Sequence, residues 1–211
     1  MAFATIGTRG IQAQSVDLTS KVTGTLPVPN GGLGIASGTS GQFLKFTGTT
    51  TIASAAGGGI TEIDQWRITA NHSGVGDITA NWERVDTDGF SKIGTGMSQS
   101  SGIFTFPGTG VWSIQFITMP FSSGEGSAYI QTALKTTVDN SSYDTASRSY
   151  TNHFESGAYS NGNSYFIFDV TNTSTHKCKF SLDQNEAGTP AFQGNTGINS
   201  TFATFLRLGD T

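Results

Sequence analysis

The sequence predicts an all-β protein, a sandwich or barrel built from many short strands. Only 12% of the 211 residues are charged, which is about half the usual share in a soluble domain. The chain also holds 28 glycines and 15 phenylalanines, and these residue types favour turns and pleated cores respectively. The third observation is a succession of strand-like runs between turn signals in residues 60–211, without any sustained helical period.

The strands can be placed in order along residues 60–211. The clearest is the run from Ala128 to Val138, where apolar and polar side chains alternate with the period of a half-buried strand. Turn signals such as Thr87-Asp88-Gly89 and Glu186–Pro190 separate the runs. The nine predicted strands lie near Trp66–Thr69, Ile78–Val85, Ile103–Phe106, Val111–Met119, Ala128–Val138, Ser147–Phe154, Ser164–Val170, Lys177–Leu182 and Ser200–Leu208.

The composition divides the chain into two parts, residues 1–59 and 60–211. The second part is long enough to bury a substantial core, whereas the first holds only four charged residues and scattered apolar ones. We therefore expect residues 1–59 to form an extended anchor or stalk that becomes ordered against partners, joined to the head by the flexible run Ala55–Gly59. Its predicted anchor contacts are Phe3, Ile6, Ile11, Val16, Leu18, Val22 and Leu26.

Two motifs in the second part resemble those of complement-type globular heads. Gly102–Ile114 follows the pattern Gly-x-Phe-x-x-Pro-x-x-Gly-x-aromatic and continues into an apolar strand. Ser200–Leu208 resembles the closing strand of such heads, in which Phe, a small residue and Phe-Leu follow Ser-Thr. The resemblance implies a ten-strand jelly roll of the complement and tumour-necrosis-factor type that associates as a homotrimer. The collagen-like stalk usual in the complement branch is missing from this sequence.

The first part resembles a different family. Val16–Gly34 contains the segment Thr-Gly-x-Leu-Pro-x-x-Asn-Gly-Gly-x-Gly of phage tail-fibre and appendage proteins, and Gly41–Lys45 is similar to the Gly-Gln-x-Leu-x stretch that often follows it. Leu33 and Pro29 depart from the usual Thr and Ala. The resemblance implies a virion structural protein held by its N-terminal segment to another virion protein of the capsid, tail or baseplate.

The closing strand carries apolar residues on both faces. Phe202, Leu206 and Leu208 alternate with Ala203 and Phe205. One face of the strand is therefore expected to pack in the core of its own chain, and the other face is expected to pack against a neighbouring chain. Identical chains that cover each other in this way form closed symmetric assemblies. We therefore predict a trimer interface at Phe202, Phe205, Leu206 and Leu208.

No catalytic or metal-binding pattern emerges from the sequence, so we expect neither an enzyme nor a cofactor. Asp86–Gly89 predicts a plain turn rather than a calcium loop, because the later oxygen ligands are missing. His72, His153 and His176 lack metal-ligand spacing, and Cys178 is expected to be a small buried apolar residue. A glycan-cleaving tailspike with paired carboxylates is the least favoured alternative.

Charge and hydropathy limit the partners and the location. The formal net charge is −4, which disfavours nucleic acid, and no apolar run is long enough to insert in a membrane. The first residues show no secretory signal. We therefore expect synthesis in a host cytoplasm and assembly on the virion surface.

Two virion roles stay open, host attachment and capsid decoration that covers or stabilises the shell. For attachment, the stretch Tyr143–Tyr165 is the candidate surface for a host glycan or protein, because rigid aromatic rings beside amides and hydroxyls suit such recognition. Packing within strands is the competing interpretation of these aromatics. The predicted receptor contacts are Tyr143, Arg148, Tyr150, His153 and Tyr159.

Overall fold

The structure is a computed structural model that describes residues 40, 42–48, 52–55, 59–123, 127–153, 155–185 and 188–211. The chain divides into two units, Met1–Gly59 and Ile60–Thr211. The predicted anchor residues lie outside the described residues: Phe3, Ile6, Ile11, Val16, Leu18, Val22 and Leu26.

The described part of the first unit contains one β-hairpin. Strand β1 (Phe43–Phe46) pairs antiparallel with β2 (Ile52–Ala55). The sequence did not predict this strand pairing within the segment expected to be extended. The apolar run Phe43–Phe46 is too short for its period to distinguish a strand from an extended linker.

The second unit is a β-sandwich, and its described residues contain no helix. Its strands are β3 (Ile63–Ile68), β4 (His72–Ser73), β5 (Gly76–Asp77), β6 (Trp82–Arg84), β7 (Ser98–Ser100), β8 (Ile103–Thr105), β9 (Gly110–Thr118), β10 (Pro120–Ser123), β11 (Ser127–Thr137), β12 (Asp144–His153), β13 (Gly162–Val170), β14 (Lys177–Asn185), β15 (Thr189–Phe192) and β16 (Phe202–Gly209).

These strands form three antiparallel sheets. The five-stranded sheet has the order β13-β9-β16-β3-β6. Five strands of the six-stranded sheet have the order β12-β11-β14-β8-β7. The sixth strand, β5, also pairs with β14. The smallest sheet has the order β10-β15-β4. Neighbouring strands are mostly far apart in the chain, which is the arrangement expected of a jelly roll.

The core lies between the five-stranded and six-stranded sheets and is largely aromatic. On β9, Trp112, Ile114 and Phe116 point inward and are fully buried, as period-two alternation dictates. The Phe116 ring lies 4.4 Å from that of Phe180 on the opposite sheet. Each buried aromatic of this kind stabilises the fold by about 1.5–3 kcal/mol through removal of apolar surface from water.

The motif around residues 102–112 has a physical explanation in this core. Gly102 has φ +76°, and a Cβ there would overlap the carbonyl oxygen of Ile78. Phe104 and Phe106, on either side of Thr105, both lie in the core. Trp112, which follows the turn after Phe106, also packs in the core. The motif therefore specifies a close backbone contact followed by inward aromatics.

Several predicted strand boundaries are wrong where the chain turns sharply. The sequence predicts one strand over Ile78–Val85, but the positive φ of Asn81 (63°) interrupts the extended backbone, and only β6 remains of it. Thr189 and Pro190 belong to β15 although the sequence predicts a turn there. The short strands β4, β7 and β10 were not predicted, because two to four residues show no usable alternation.

Candidate functional site

A pair of tyrosines, the half-buried Tyr129 and the exposed Tyr150, marks the outward face of the six-stranded sheet. Antiparallel pairing of β11 and β12 sets Gln131 opposite Tyr150 and Ala133 opposite Arg148. The rings of Tyr129 and Tyr150 meet edge to face with 4.8 Å between centroids. The Arg148 guanidinium lies 5.4 Å from the centre of the Tyr150 ring. We call Tyr129, Arg148 and Tyr150 the tyrosine platform.

The alternation of β12 explains why the platform faces solvent. Ser147 and Ser149 point the other way, and their hydroxyl oxygens accept hydrogen bonds from the backbone N–H groups of Tyr165 (3.3 Å) and Asn163 (3.1 Å) on β13. These bonds close the edge of the sandwich between β12 and β13. Because side chains alternate along a strand, the intervening Arg148 and the following Tyr150 are directed outward.

Polar groups border the platform. Gln131, of which only 8% is exposed, lies opposite both Tyr150 and Asp183 in the two neighbouring pairings. Its amide and the Asp183 carboxylate therefore share the outward face with the tyrosine rings. Aromatic faces beside amide, carboxylate and guanidinium groups suit the recognition of sugars or polar protein surfaces.

An ion-pair cluster lies on the same sheet. The Asp77 carboxylate accepts hydrogen bonds from Lys135 Nζ (2.9 Å) and Lys179 Nζ (2.7 Å). Burial by itself would raise the pKa of Asp77, but the bonds from Lys179 and Lys135 outweigh it and lower the pKa below its usual value. Lys135 and Lys179 are directly opposite each other on β11 and β14, so Asp77 separates two like charges.

The predicted receptor contacts do not all meet at one place. Tyr143 precedes β12, and its ring lies 4.1 Å from Lys179 Nζ. Burial raises the pKa of Tyr143, and its hydroxyl is buried without a partner among the described residues. Tyr159 is 58% exposed but packs against Phe121 of β10 at 5.4 Å, and no described contact joins it to the platform. His153 is the last residue of β12.

Sequence reasoning missed Tyr129 as a candidate contact. It falls within the predicted strand Ala128–Val138, but only the cross-strand register shows that it lies beside Tyr150. A cross-strand aromatic neighbour is decided by pairing, and a single sequence does not specify which residues pair.

The outward face of the five-stranded sheet has a different character. Tyr165 and Ile167 on β13 are 52% and 41% exposed, and Leu208 near the end of β16 is 53% exposed. The half-buried residues Phe202 and Leu206 lie on the adjoining part of β16. Apolar side chains with accessible surface thus lie on both β13 and β16, as expected of an association surface.

The assignment of Phe205 to a subunit interface is wrong. Phe205 is 0% exposed, and its ring contacts Phe104 at 5.2 Å and Phe180 at 6.2 Å inside the core. Alternation gives each strand one inward and one outward face, so only Phe202, Leu206 and Leu208 remain accessible to another subunit.

Groups with catalytic or ligand chemistry have structural roles here. The buried His176 stacks on Phe168 and hydrogen-bonds Thr171 and Thr175. Cys178 is fully buried, as predicted, and burial raises the pKa of its thiol.

The described ranges contain no group of three or more His, Cys, Asp or Glu residues placed to hold a metal ion. Within the same ranges, no helix has the length and apolar character needed to cross a membrane.

No protein-family model matches the chain, and no curated protein does. Solved structures do resemble it. Murine APRIL at pH 5.0 is 16% identical, with a TM-score of 0.50 over 70% of this chain and 98% of that one. Eiger TNF from S. frugiperda is 11% identical, with a TM-score of 0.53 over 71% of this chain and 93% of that one. The PRD1 vertex protein P5 is 16% identical and covers 72% of this chain and 100% of its own, with a TM-score of only 0.44.

At these identities the first two likenesses define the fold alone. The head is a jelly-roll sandwich of the tumour-necrosis-factor type, as the motifs around residues 102–114 and 200–208 predicted. The fold hosts no particular chemistry by itself, so the function of the head depends on the side chains of its two outward faces.

Proposed function

We propose that this chain is a phage virion surface protein that forms a homotrimer and attaches the particle to its host. The observation that carries the proposal is the contrast between the two outward faces of one sandwich. The five-stranded sheet presents apolar side chains, whereas the six-stranded sheet presents the tyrosine platform with its polar border. One face is suited to self-association, and the other is suited to recognition of a polar ligand.

The apolar face supports the trimer. Phe202, Leu206 and Ile167 would be removed from water when the five-stranded sheets of three chains pack around one axis. Burial of such surface is the main favourable contribution to association. Identical subunits in rotational contact close into a ring, which leaves the six-stranded sheets on the outside.

Attachment to a virion is supported by the first part of the chain. Val16–Gly34 resembles segments of phage tail-fibre and appendage proteins, and we assign it the role of anchor to another virion protein.

The platform supports a glycan as the host ligand. We propose that a sugar stacks on the face of the Tyr150 ring that Arg148 does not cover, while Arg148 and Asp183 offer hydrogen bonds at the edges of the site. Stacking of this kind is weak at one site, but three sites on one axis raise the avidity by about 10²–10⁴. The proposed ligand is therefore a repeating surface glycan.

Competition for host cells tests this function. Purified full-length protein is incubated with susceptible bacteria before phage is added, and unadsorbed phage is counted. Wild-type protein is expected to block adsorption, and Tyr150→Ala is expected to block it at least tenfold less well at equal concentration. Tyr159→Ala is the matched control, because that exposed tyrosine lies off the platform.

The same materials distinguish capsid decoration from attachment. If wild-type protein does not bind cells, and particles lacking it lose infectivity under osmotic or thermal stress, the protein stabilises the shell and the attachment role is wrong. The copy number in purified particles, measured by quantitative mass spectrometry, adds a second criterion: tens of copies fit a fibre and hundreds fit decoration.

A further inference from the structure

The β1–β2 hairpin exposes large apolar side chains in the single chain. Phe43, Leu44 and Phe46 are 69%, 51% and 69% exposed, and every residue of β1 is accessible to solvent. In the part of the chain that the structure describes, β1 and β2 form a sheet of two strands by themselves. An isolated pair of strands is only marginally stable in water, and exposed apolar side chains that lie together mark an interaction surface. The hairpin is therefore expected to pack against a partner.

The pairing of the two strands sorts their side chains onto two faces. Residues directly opposite each other project to the same face of an antiparallel pair, and alternate residues along one strand do so as well. Phe46 is opposite Ile52, and Leu44 lies two positions before Phe46, so these three apolar side chains share one face. We call Leu44, Phe46 and Ile52 the hairpin face. Phe43 and Lys45 project from the opposite face.

The polar groups beside the hairpin face are neutral and bonded to each other. Ser54 is opposite Leu44, and its hydroxyl donates a hydrogen bond to Gln42 Oε1 at 2.5 Å. Among the described residues of the hairpin, the charged Lys45 belongs to the other face. Two copies of the hairpin face can thus meet without burial of a charge, which would be costly.

The trimer supplies the copies that can cover the hairpin face. Seven residues, 56–62, connect β2 to β3, so the chain from Ala55 to Ile63 spans at most about 30 Å. Short tethers give linked segments an effective concentration on the order of millimolar. In a ring of identical chains, the hairpins are equivalent and related by one axis. Each hairpin is therefore held near two others that carry the same apolar face, before the trimer meets any further protein.

We infer that the hairpin faces of three chains pack against one another around the threefold axis and form a second subunit interface in the first unit. This inference rests on the proposed trimer and extends it from the head to residues 42–55. Leu44, Phe46 and Ile52 of each chain leave water together, whereas Lys45 remains on the outside. The packed hairpins also keep the three N-terminal segments together, so that another virion protein binds three anchors at once.

Cysteine cross-linking in the full-length protein tests this packing. Leu44→Cys places a thiol on the hairpin face, and Lys45→Cys places one at the next residue of the same strand, on the opposite face. Each variant is treated with a short bismaleimide and run on a denaturing gel. The buried Cys178 gives no background while the protein is folded. Leu44→Cys should give two-chain products, because one reagent joins two thiols, and Lys45→Cys should give several-fold less of them.

Two results of this experiment would overturn the inference. Equal or stronger cross-linking of Lys45→Cys would show that the chains meet without preference for the hairpin face. A lack of cross-links in Leu44→Cys, while light scattering gives a trimeric mass, would show that the heads associate and the hairpins do not. A monomeric mass for the wild type contradicts the proposed trimer itself, so the two failures are distinguishable.

Hydrogen exchange measured by mass spectrometry identifies what covers the hairpin. In the wild-type trimer, the amides of residues 43–55 are expected to be protected. In Leu206→Asp, at a concentration where light scattering gives the mass of one chain, the same amides should exchange about tenfold faster or more, because a lone hairpin opens readily. Tyr150→Asp, on the other sheet of the head, is the control and should retain the wild-type protection.

Other occupants of the hairpin face give different exchange patterns, and each of them contradicts the inference. Equal protection in the monomeric variant would show that the hairpin is covered by its own chain. Rapid exchange in the free trimer, with protection only in intact particles, would show that another virion protein covers the hairpin face.

A charge placed on the hairpin face provides a check with a matched control. Phe46→Asp should remove the protection of residues 43–55, because a carboxylate would be buried between chains, while the heads keep the mass trimeric. Lys45→Asp introduces the same carboxylate on the opposite face and should leave the protection unchanged. Equal protection in the two variants would show that Phe46 does not pack between chains.

Discussion

Phe205 and Phe104 lie with their ring centroids 5.2 Å apart, across the middle of the sandwich. Phe205 belongs to the five-stranded sheet and Phe104 to the six-stranded sheet, so this contact joins the two layers directly. The next residue on β16, Leu206, points to the opposite side and is only half-buried. Adjacent positions on β16 therefore serve folding and association separately.

Replacement of the inward residue should damage the fold. Phe205→Ala is expected to lower the free energy of unfolding by about 3–5 kcal/mol, because it removes a buried ring and leaves a cavity. Urea unfolding followed by tryptophan fluorescence measures the loss. Leu206→Ala, compared at the same protein concentration, should cost much less; equal losses would contradict the assignment of Phe205 to the core.

Replacement of the outward residue should instead change the assembly. Wild-type protein at micromolar concentration is expected to have three times the chain mass of 22.1 kDa by light scattering. Leu206→Asp should shift the mass toward that of one chain, because a carboxylate would be buried between subunits. Tyr150→Asp places the same charge on the other outward face and should remain trimeric. A monomeric wild type would refute the proposed trimer.

The Asp77 ion pairs should make stability depend on pH. The lowered pKa of Asp77 means that its contribution is complete above the unfolded pKa of about 4 and is lost as pH falls further through the folded value. Asp77→Asn should be destabilised by about 1–2 kcal/mol at pH 7, allowing for partial exposure of the three groups. Its free energy of unfolding should also fall less than that of wild type between pH 5 and about pH 3.

A second substitution separates the ion pairs from other effects of Asp77. Lys135 and Lys179 are opposite neighbours, and like charges so placed repel. Removal of one amine by Lys135→Gln should therefore restore part of the stability lost in Asp77→Asn. Thermal melts of the four proteins in this cycle give the comparison, and strictly additive losses would argue against the cluster.

The single thiol should be chemically silent in the native protein. Cys178 is fully buried, and its raised pKa keeps the thiol protonated, whereas the thiolate is the reactive form. A disulfide-exchange reagent at pH 8 is expected to label Cys178 only as fast as the protein unfolds, and at once in denaturant. Rapid labelling of native protein would show that the thiol is accessible.

Glycines of the motif should differ sharply in their tolerance of a methyl group. Gly102→Ala places a Cβ against the Ile78 carbonyl in a left-handed backbone conformation, so we expect a loss of about 2–4 kcal/mol. At Gly108 a Cβ would have no atom within 4 Å, and Gly108→Ala should be nearly neutral. Melting temperatures of the two variants test this contrast.

Much of the head was predictable because the residue patterns that favour strands and turns span only a few neighbouring residues. Alternation in residues 128–138 predicted a strand that the structure places at β11, and the inward direction of Ile130 and Leu134 followed from the same pattern. The jelly roll was implied by the resemblance of the Gly-Phe-Pro-Gly motif to complement-type heads, and the structure shows that this motif provides a close backbone approach and inward aromatics. The tight turn at Asn81 and the two-residue strands carry no such pattern and were missed.

The sequence by itself determined the all-β class, the burial of Cys178 and most strand positions, because composition, period and turn chemistry act over a few residues. The jelly-roll head was implied by the resemblance of two motifs to those of complement-type heads. Only the tertiary structure decided that Phe205 belongs to the core, that Tyr129 joins Tyr150, and that Tyr159 lies elsewhere. It alone brought Gln65, Phe90 and Asn199 together around a cavity. Each of these depends on which strands pair and in what register, and antiparallel pairing joins residues that are far apart in the chain.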